Sequence, residues 1–253
     1  MSVPEGALAA YGRPETLRLP ALTLDRTEAL GYVGYAGQVL DDELRERFER
    51  LADACERDLH PACACAAFEV DAARTRWGGD DAQVALAGSQ LVLPGRDIAR
   101  HLEGAREVVL MACTLGAASE RELRKHAALS PVDALLYGAA ASAFVEAAAN
   151  AAEAAIVERA AARGLRASFR YSPGYGDLPL AVQPAFLDAL DATRRIGLGV
   201  TEGNLLVPTK SVTAVIGLFD GPAPKTAVRA ACETCQLRGC CPRREKGRTC
   251  HGS

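Results

Sequence analysis

FRYSPGYGDLPLAVQPAFLDALDATRRIGLGVTEGNLLVPTKSVTAVIGLF, residues 169–219, decides how the rest of the chain is read. It opens on Arg170 and a rigid turn, Ser172-Pro-Gly-Tyr175-Gly-Asp177. Proline fixes one φ and the glycines flanking Tyr175 permit conformations closed to other residues, so the main chain can approach a ligand closely. Arg170 offers a permanent cation whose planar fork of donors matches a carboxylate. Tyr175 adds an aromatic face with a hydroxyl tip. On these residues alone a ligand-binding turn competes with a plain surface turn carrying a solvated arginine. Beyond the turn, Ala181 to Arg194 reads as an amphipathic helix. Leu198–Val207 and Ser211–Phe219 read as Val/Ile-rich strands around Pro208.

Upstream lies the longest helix, N-capped by Ser130, with Pro131 in its first turn, Asp133 closing a capping box and Gly164 past its end. Leu136, Ala140, Ala143, Ala147 and Ala151 form its small-residue packing face. Ser142, Glu146, Asn150 and Glu153 form a separate polar stripe, with Glu153 read as solvated. Glu107–Cys113 is a buried strand leading through Thr114-Leu-Gly116, a plain connection, into a polar helix near Ala118–Ala128. Arg96–Leu102 is a short helix, and Gln83–Leu93 a hairpin broken at Gly88-Ser89. Cys63 and Cys65 alternate with alanine in a strand that places both thiols on one face as small buried hydrophobes. Before them a helix from Asp41 to His60 buries Leu44, Phe48, Leu51, Cys55 and Leu59 and stops at Pro61. Strands and helices without regular βαβ alternation make the chain α+β.

With 253 residues, 49% hydrophobic and 5% aromatic, the chain can bury a large core that is rich in alanine. The net charge of −3 hides an asymmetry: residues 225–253 hold seven Lys/Arg against two Glu, leaving −8 on the body. No apolar run near Met1 is long enough for a signal peptide, so a cytoplasmic protein is expected. The apolar segment Leu135–Ala162 carries Glu146, Asn150, Glu153 and Glu158, which argues against a membrane span. Nine cysteines, an odd number, point to free thiols or metal ligands rather than a disulfide framework.

The stretch 169–219 resembles the S-adenosylmethionine-binding reactivation domain of cobalamin-dependent methionine synthase. That domain carries Arg-Pro-Ala-Pro-Gly-Tyr, then Thr-Glu-Ser, then Pro-x-x-Ser-Val-Ser. Here these stand as Arg170-Tyr-Ser-Pro-Gly-Tyr175, Thr201-Glu202-Gly203 and Pro208-Thr-Lys-Ser211-Val212-Thr213. The chain is closer still to short stand-alone proteins with Ser-Pro-Gly-Tyr-Gly-Asp and Pro-x-Lys-Ser-Val. It departs from the large enzyme's domain at Tyr171-Ser172, and no position matches that domain's early aspartate. The resemblance implies a twisted antiparallel sheet flanked by helices over residues 1–220, and composition sets off 221–253 as a Cys-rich basic tail. It implies that Arg170 pairs with the donor's carboxylate and Glu146 with its ammonium. Backbone around Ser172, Gly174 and Tyr175 would take the adenosine and border a corrin, and Glu202 falls in the matching Thr-Glu segment. The implied activity is reductive methylation of cob(II)alamin, in complex with a short cobalamin-dependent methionine synthase or another corrinoid protein. No nucleic-acid or membrane partner is expected.

Five cysteines fall in the tail as Cys232-x-x-Cys235-x4-Cys240-Cys241-x8-Cys250-His251. Thiolates at this spacing suit zinc or an iron–sulfur cluster, and the surrounding Arg238, Arg243, Arg244, Lys246 and Arg248 favour the thiolate form. Two other function classes therefore stand beside the first. One is an iron–sulfur protein that reduces a corrinoid protein, and the other is a non-catalytic zinc-knot interaction module.

Overall fold

The structure, a computed structural model, describes residues 11–35 and 37–222. The elements run β1 (Glu15–Leu17), α1 (Arg26–Tyr32), α2 (Asp42–Asp58), β2 (Ala62–Glu69), β3 (Gln83–Ala85), β4 (Val92–Pro94), α3 (Arg96–Leu102), β5 (Glu107–Thr114), α4 (Gly116–Leu129), α5 (Pro131–Ala161), β6 (Arg166–Ala167), a 3₁₀ turn (Leu180–Val182), α6 (Gln183–Ala189), α7 (Ala192–Ile196), β7 (Gly199–Val200), β8 (Leu206–Val207) and β9 (Ser211–Phe219). Five strands form one antiparallel sheet in the order β1-β2-β5-β9-β6. The class is α+β, with helices on both faces.

Side chains alternate across a strand, and here each set meets a different apolar layer. Ala64, Ala66, Phe68, Val108, Leu110, Ala112, Val215 and Phe219 pack with α3, α6, α7 and the β3–β4 hairpin. Cys63, Cys65, Ala67, Val109, Met111, Cys113, Ala214, Ile216 and Leu218 pack beneath α5. Both faces are covered, which is why β5 is buried along its whole length.

The α5 residues that meet the sheet are Ala148, Ala149, Ala152, Ile156 and Ala160. Ala147 and Ala151, expected on that face, are only half-buried. A single small-residue stripe does not describe a helix whose first half packs against α1 and α2 and whose second half packs against the sheet. By length and composition α5 could cross a membrane, but 56% of its most apolar window is buried inside the protein. The N-cap is as expected: Ser130 Oγ accepts from the Asp133 N–H at 3.3 Å. The reciprocal half of the capping box is absent, because the Asp133 carboxylate is bound to Arg47 and the Ser130 N–H goes to the His126 carbonyl.

Four further expectations change. Ahead of Asp41, where no element was expected, stand β1 and α1. The latter is capped by Asp25 and clamped to α2 through Arg26, which reaches Glu49 at 2.9 Å, Asp53 at 2.7 Å and Glu56 at 2.9 Å. The helix expected over Ala181–Arg194 is broken at Asp191, whose φ is 49°. The strand expected over Leu198–Val207 is a small hairpin of β7 and β8 around Thr201–Asn204. Cys63 and Cys113 face each other directly across β2 and β5, with Cα atoms 4.2 Å apart, and form a disulfide. Strand pairing brings together two cysteines whose sequence separation of 50 hid the relation. Cys55 and Cys65 are buried thiols, both pushed up to about 12 by burial.

Candidate functional site

The Arg170 turn begins as a strand laid along the outer edge of β9. Tyr171 exchanges backbone hydrogen bonds with Val215 at 2.9 and 2.8 Å, and Ser168 N donates to the Gly217 carbonyl at 2.8 Å. Alternation then sends Arg170 and Tyr171 to opposite faces of the sheet. Tyr171 packs against the α3 layer, its ring 5.1 Å from that of His101. His101 is buried, with Nε2 3.1 Å from the Phe169 carbonyl and 3.0 Å from Ser168 Oγ.

Arg170 turns toward α5 and meets its polar stripe. Nη2 donates to Asn150 Oδ1 at 2.6 Å and to Glu146 Oε2 at 3.4 Å, and Nε lies 3.0 Å from Glu153 Oε2. Glu146, Asn150 and Glu153 follow i, i+4, i+7 spacing, so one helix face presents all three to one guanidinium. Glu153 is therefore not the solvated residue expected. Its side chain is 10% exposed, against 35% for Glu146. One turn earlier, Ser142 Oγ accepts from Lys210 Nζ at 2.8 Å. Burial lowers the proton affinity of Lys210.

The turn is held from below. Asp177 accepts from the backbone N–H groups of Arg96 at 2.6 Å and Asp97 at 3.1 Å, so the last residue of Ser-Pro-Gly-Tyr-Gly-Asp caps α3. A Cβ at Gly95 would collide with that carboxylate, and one at Gly176, where φ is 52°, would collide with the Tyr171 hydroxyl and Asp97. Tyr171 Oη donates to the Tyr175 carbonyl at 3.2 Å, and Tyr175 N to the Ser172 carbonyl at 3.0 Å. These bonds leave the Tyr175 side chain 56% exposed at the tip.

Of the residues singled out from sequence, Arg170 and Glu146 are brought into contact, and Ser172, Gly174 and Tyr175 form the adjoining turn. Glu202 sits exposed in the β7–β8 hairpin. Among the described residues no hydrogen bond or ion pair joins it to Arg170. The next motif segment is anchored elsewhere: Thr209 N donates to Glu120 at 2.6 Å, and Ser211 Oγ to Thr114 Oγ1 at 2.8 Å. Sequence reasoning missed the roles of Glu153, His101 and Asp177, although the spacing of Glu153 from Glu146 was a usable signal. No group of three or more His, Cys, Asp or Glu able to hold a metal occurs among the described residues. Cys232, Cys235, Cys240, Cys241 and Cys250 lie outside them.

No protein-family model matches the chain, and no curated protein does. Among solved structures it is similar to the crystal structure of the MetH reactivation domain bound to AdoHcy, with a TM-score of 0.60 and 16% identity. The match covers 89% of this chain and 84% of that one. The fold implied by the sequence resemblance is the fold found.

Proposed function

Starting from this shared fold, we propose that the chain binds S-adenosylmethionine at the Arg170 turn and serves as a stand-alone reactivation partner of a corrinoid protein. A short cobalamin-dependent methionine synthase is the partner that the resemblance favours. One observation carries the reading. At the sheet edge a guanidinium is held between two carboxylates and an amide, next to a rigid turn that exposes Tyr175. The amino-acid end of the donor is a zwitterion, and a zwitterion enters an ion pair by exchange of partners. Its carboxylate goes to Arg170 and its ammonium to Glu146, the more exposed of the two acids. The backbone of Ser172–Tyr175 takes the adenosine, and the Tyr175 ring is left to border the corrin.

When bound, S-adenosylmethionine supplies an activated methyl group for the partner's corrinoid, with one electron from a reductant. The chain's own residues need only bind and orient the donor, so activity as a methyltransferase belongs to the complex. The tail extends the proposal: Cys232, Cys235, Cys240 and either Cys241 or Cys250 hold zinc or an iron–sulfur cluster, which metal analysis of anaerobically purified protein would identify.

Calorimetric titration of the full chain with S-adenosylmethionine tests the central claim. Saturable binding is expected, and an absence of heat at ligand concentrations up to the millimolar range would end it.

A further inference from the structure

The strand that carries Arg170 holds one residue more than the stretch of β9 it faces. Arg166 and Ala167 of β6 pair with Phe219 and Leu218, yet Tyr171 pairs with Val215. Four steps along one strand, from Ala167 to Tyr171, are thus matched by three along β9, from Leu218 to Val215. Ser168 N meets the Gly217 carbonyl and Tyr171 exchanges both bonds with Val215, which leaves Phe169 and Arg170 together opposite Ile216. This is a β-bulge, and one extra residue changes the face on which every later side chain stands. Ala167 packs beneath α5. Strict alternation from there would send Tyr171 to that same face and Arg170 into the α3 layer, away from Glu146, Asn150 and Glu153. The bulge reverses both: Tyr171 joins the α3 layer and Arg170 meets α5.

Two polar side chains hold the bulge. Ser168 Oγ accepts from Gly217 N at 2.8 Å. The Phe169 carbonyl lies 3.1 Å from Nε2 of the buried His101, at the end of α3. A carbonyl only accepts, so this contact needs the hydrogen on Nε2. The same imidazole has Nε2 3.0 Å from Ser168 Oγ, and its ring centroid is 4.7 Å from that of Phe169 and 5.1 Å from that of Tyr171. One side chain therefore touches the residues on both sides of Arg170, while Arg170 itself points the other way.

We propose that His101, together with Ser168, is a positioning residue of the site: it latches the bulge that aims the Arg170 guanidinium at α5. This rests on the reading of Arg170 as the group that takes the donor's carboxylate, and adds the residue that gives Arg170 its direction. His101 touches no ligand and acts through the Phe169 carbonyl. Without the latch the strand would not simply slip into regular register, because that would bury a guanidinium in the apolar α3 layer at a high cost. The strand should instead loosen around Phe169, and Arg170 should lose its fixed contact with α5 while the sheet keeps its fold.

The test uses the full-length protein and two readouts. The first is the NMR signal of the Arg170 Nε–H, which faces Glu153 at 3.0 Å and is assigned by its loss in Arg170→Ala. The second is calorimetry with S-adenosylmethionine. His101→Leu removes the donor at similar bulk. It should shift or broaden the Arg170 signal and weaken binding by about tenfold, the worth of one hydrogen bond. His101→Gln, whose amide can place an N–H where Nε2 stands, should restore both. Combined with Arg170→Ala, His101→Leu should weaken binding no further, because its effect passes through Arg170. A folded His101→Leu protein with the wild-type signal and affinity overturns the inference. So does a loss that adds in full to that of Arg170→Ala. If His101→Leu does not fold, Ser168→Ala decides, since it removes the bulge's other bond with little change of bulk, and an unchanged Arg170 signal there overturns the latch. A wild type that binds no S-adenosylmethionine fails the functional reading alone, and the Arg170 signal still decides the latch.

Discussion

The guanidinium–carboxylate clusters at Glu107 and at Arg170 both adjoin α5, and they differ in how far they are closed to water. Near the C-terminus of α5 the carboxylate of Glu107 is wholly buried. It accepts from Arg163 at 2.8 and 2.5 Å and from the Tyr11 hydroxyl at 2.5 Å, and Arg106 lies 3.6 Å away. Both carboxylate oxygens of Glu107 accept from Arg163, and Arg106 is shared with Asp220 at 3.1 Å. At the Arg170 cluster one guanidinium is shared by Glu146 and Glu153, and Glu146 remains a third exposed. The first arrangement is a rivet between the chain's start, β5 and the end of α5. The second is the one proposed to trade partners with a ligand. What separates a structural ion pair from one proposed to take a ligand here is whether one partner reaches water.

Breaking the rivet should have the largest effect. Glu107→Ala should destabilise the fold by about 3 kcal/mol, the lower end of the cost of splitting a buried pair, because Arg163 is partly exposed and can regain water. Thermal unfolding measures the loss, and donor affinity at a temperature where the variant is folded should not change. A parallel fall in affinity would show that the clusters are not independent. Next comes Arg170→Ala, which should weaken S-adenosylmethionine binding by about 1.5–3 kcal/mol, tenfold or more. Equal affinity in wild type and variant would remove Arg170 from the site.

Asp177→Ala should cost about 1 kcal/mol through the lost cap on α3, and Asp177→Asn less, since an amide oxygen can still accept. Denaturant midpoints of the two variants sharpen the distinction between holding the turn and touching the ligand. Tyr175→Ala should change stability by less than about 0.5 kcal/mol, as exposed positions do. It should harm corrinoid reactivation more than donor binding, and equal losses would place the ring in the donor pocket. The smallest effect belongs to Glu120. Hydrogen bonds from the Thr209 hydroxyl and N–H hold its carboxyl below the usual 4.5. Its contribution is full above the unfolded value and is lost as pH falls through the lower folded value. Glu120→Gln should therefore blunt the acid-induced fall in stability below about pH 4.5 without altering the neutral-pH fold.

Much of this protein could be read locally. The caps and length of α5, the bounds of α3, the hairpin of β3 and β4, and strands β2, β5 and β9 depend on residues within one or two turns of each other. Ser130, Pro131 and the alternating Cys-Ala run state their conformations wherever they stand, because capping, fixed φ and side-chain alternation act over a few residues. The turn at Arg170 was legible for the same reason. β1, α1 and the break at Asp191 were not, since short elements carry too few periodic residues and are set by what they pack on.

The sequence by itself determined an α+β chain with a rigid, ligand-suited turn, a polar stripe on its longest helix and a resemblance to one family of domains. Only the tertiary structure decided that the stripe and the turn meet. It made Glu153 a buried partner of Arg170 rather than a solvated side chain, set Asp177 as the cap of α3, and paired Cys63 with Cys113. Each of these contacts joins residues far apart in sequence. The two ionic contacts draw their strength from desolvation and charge at distances that only packing of α5 and α3 against the sheet brings about, and the disulfide needs β2 paired with β5.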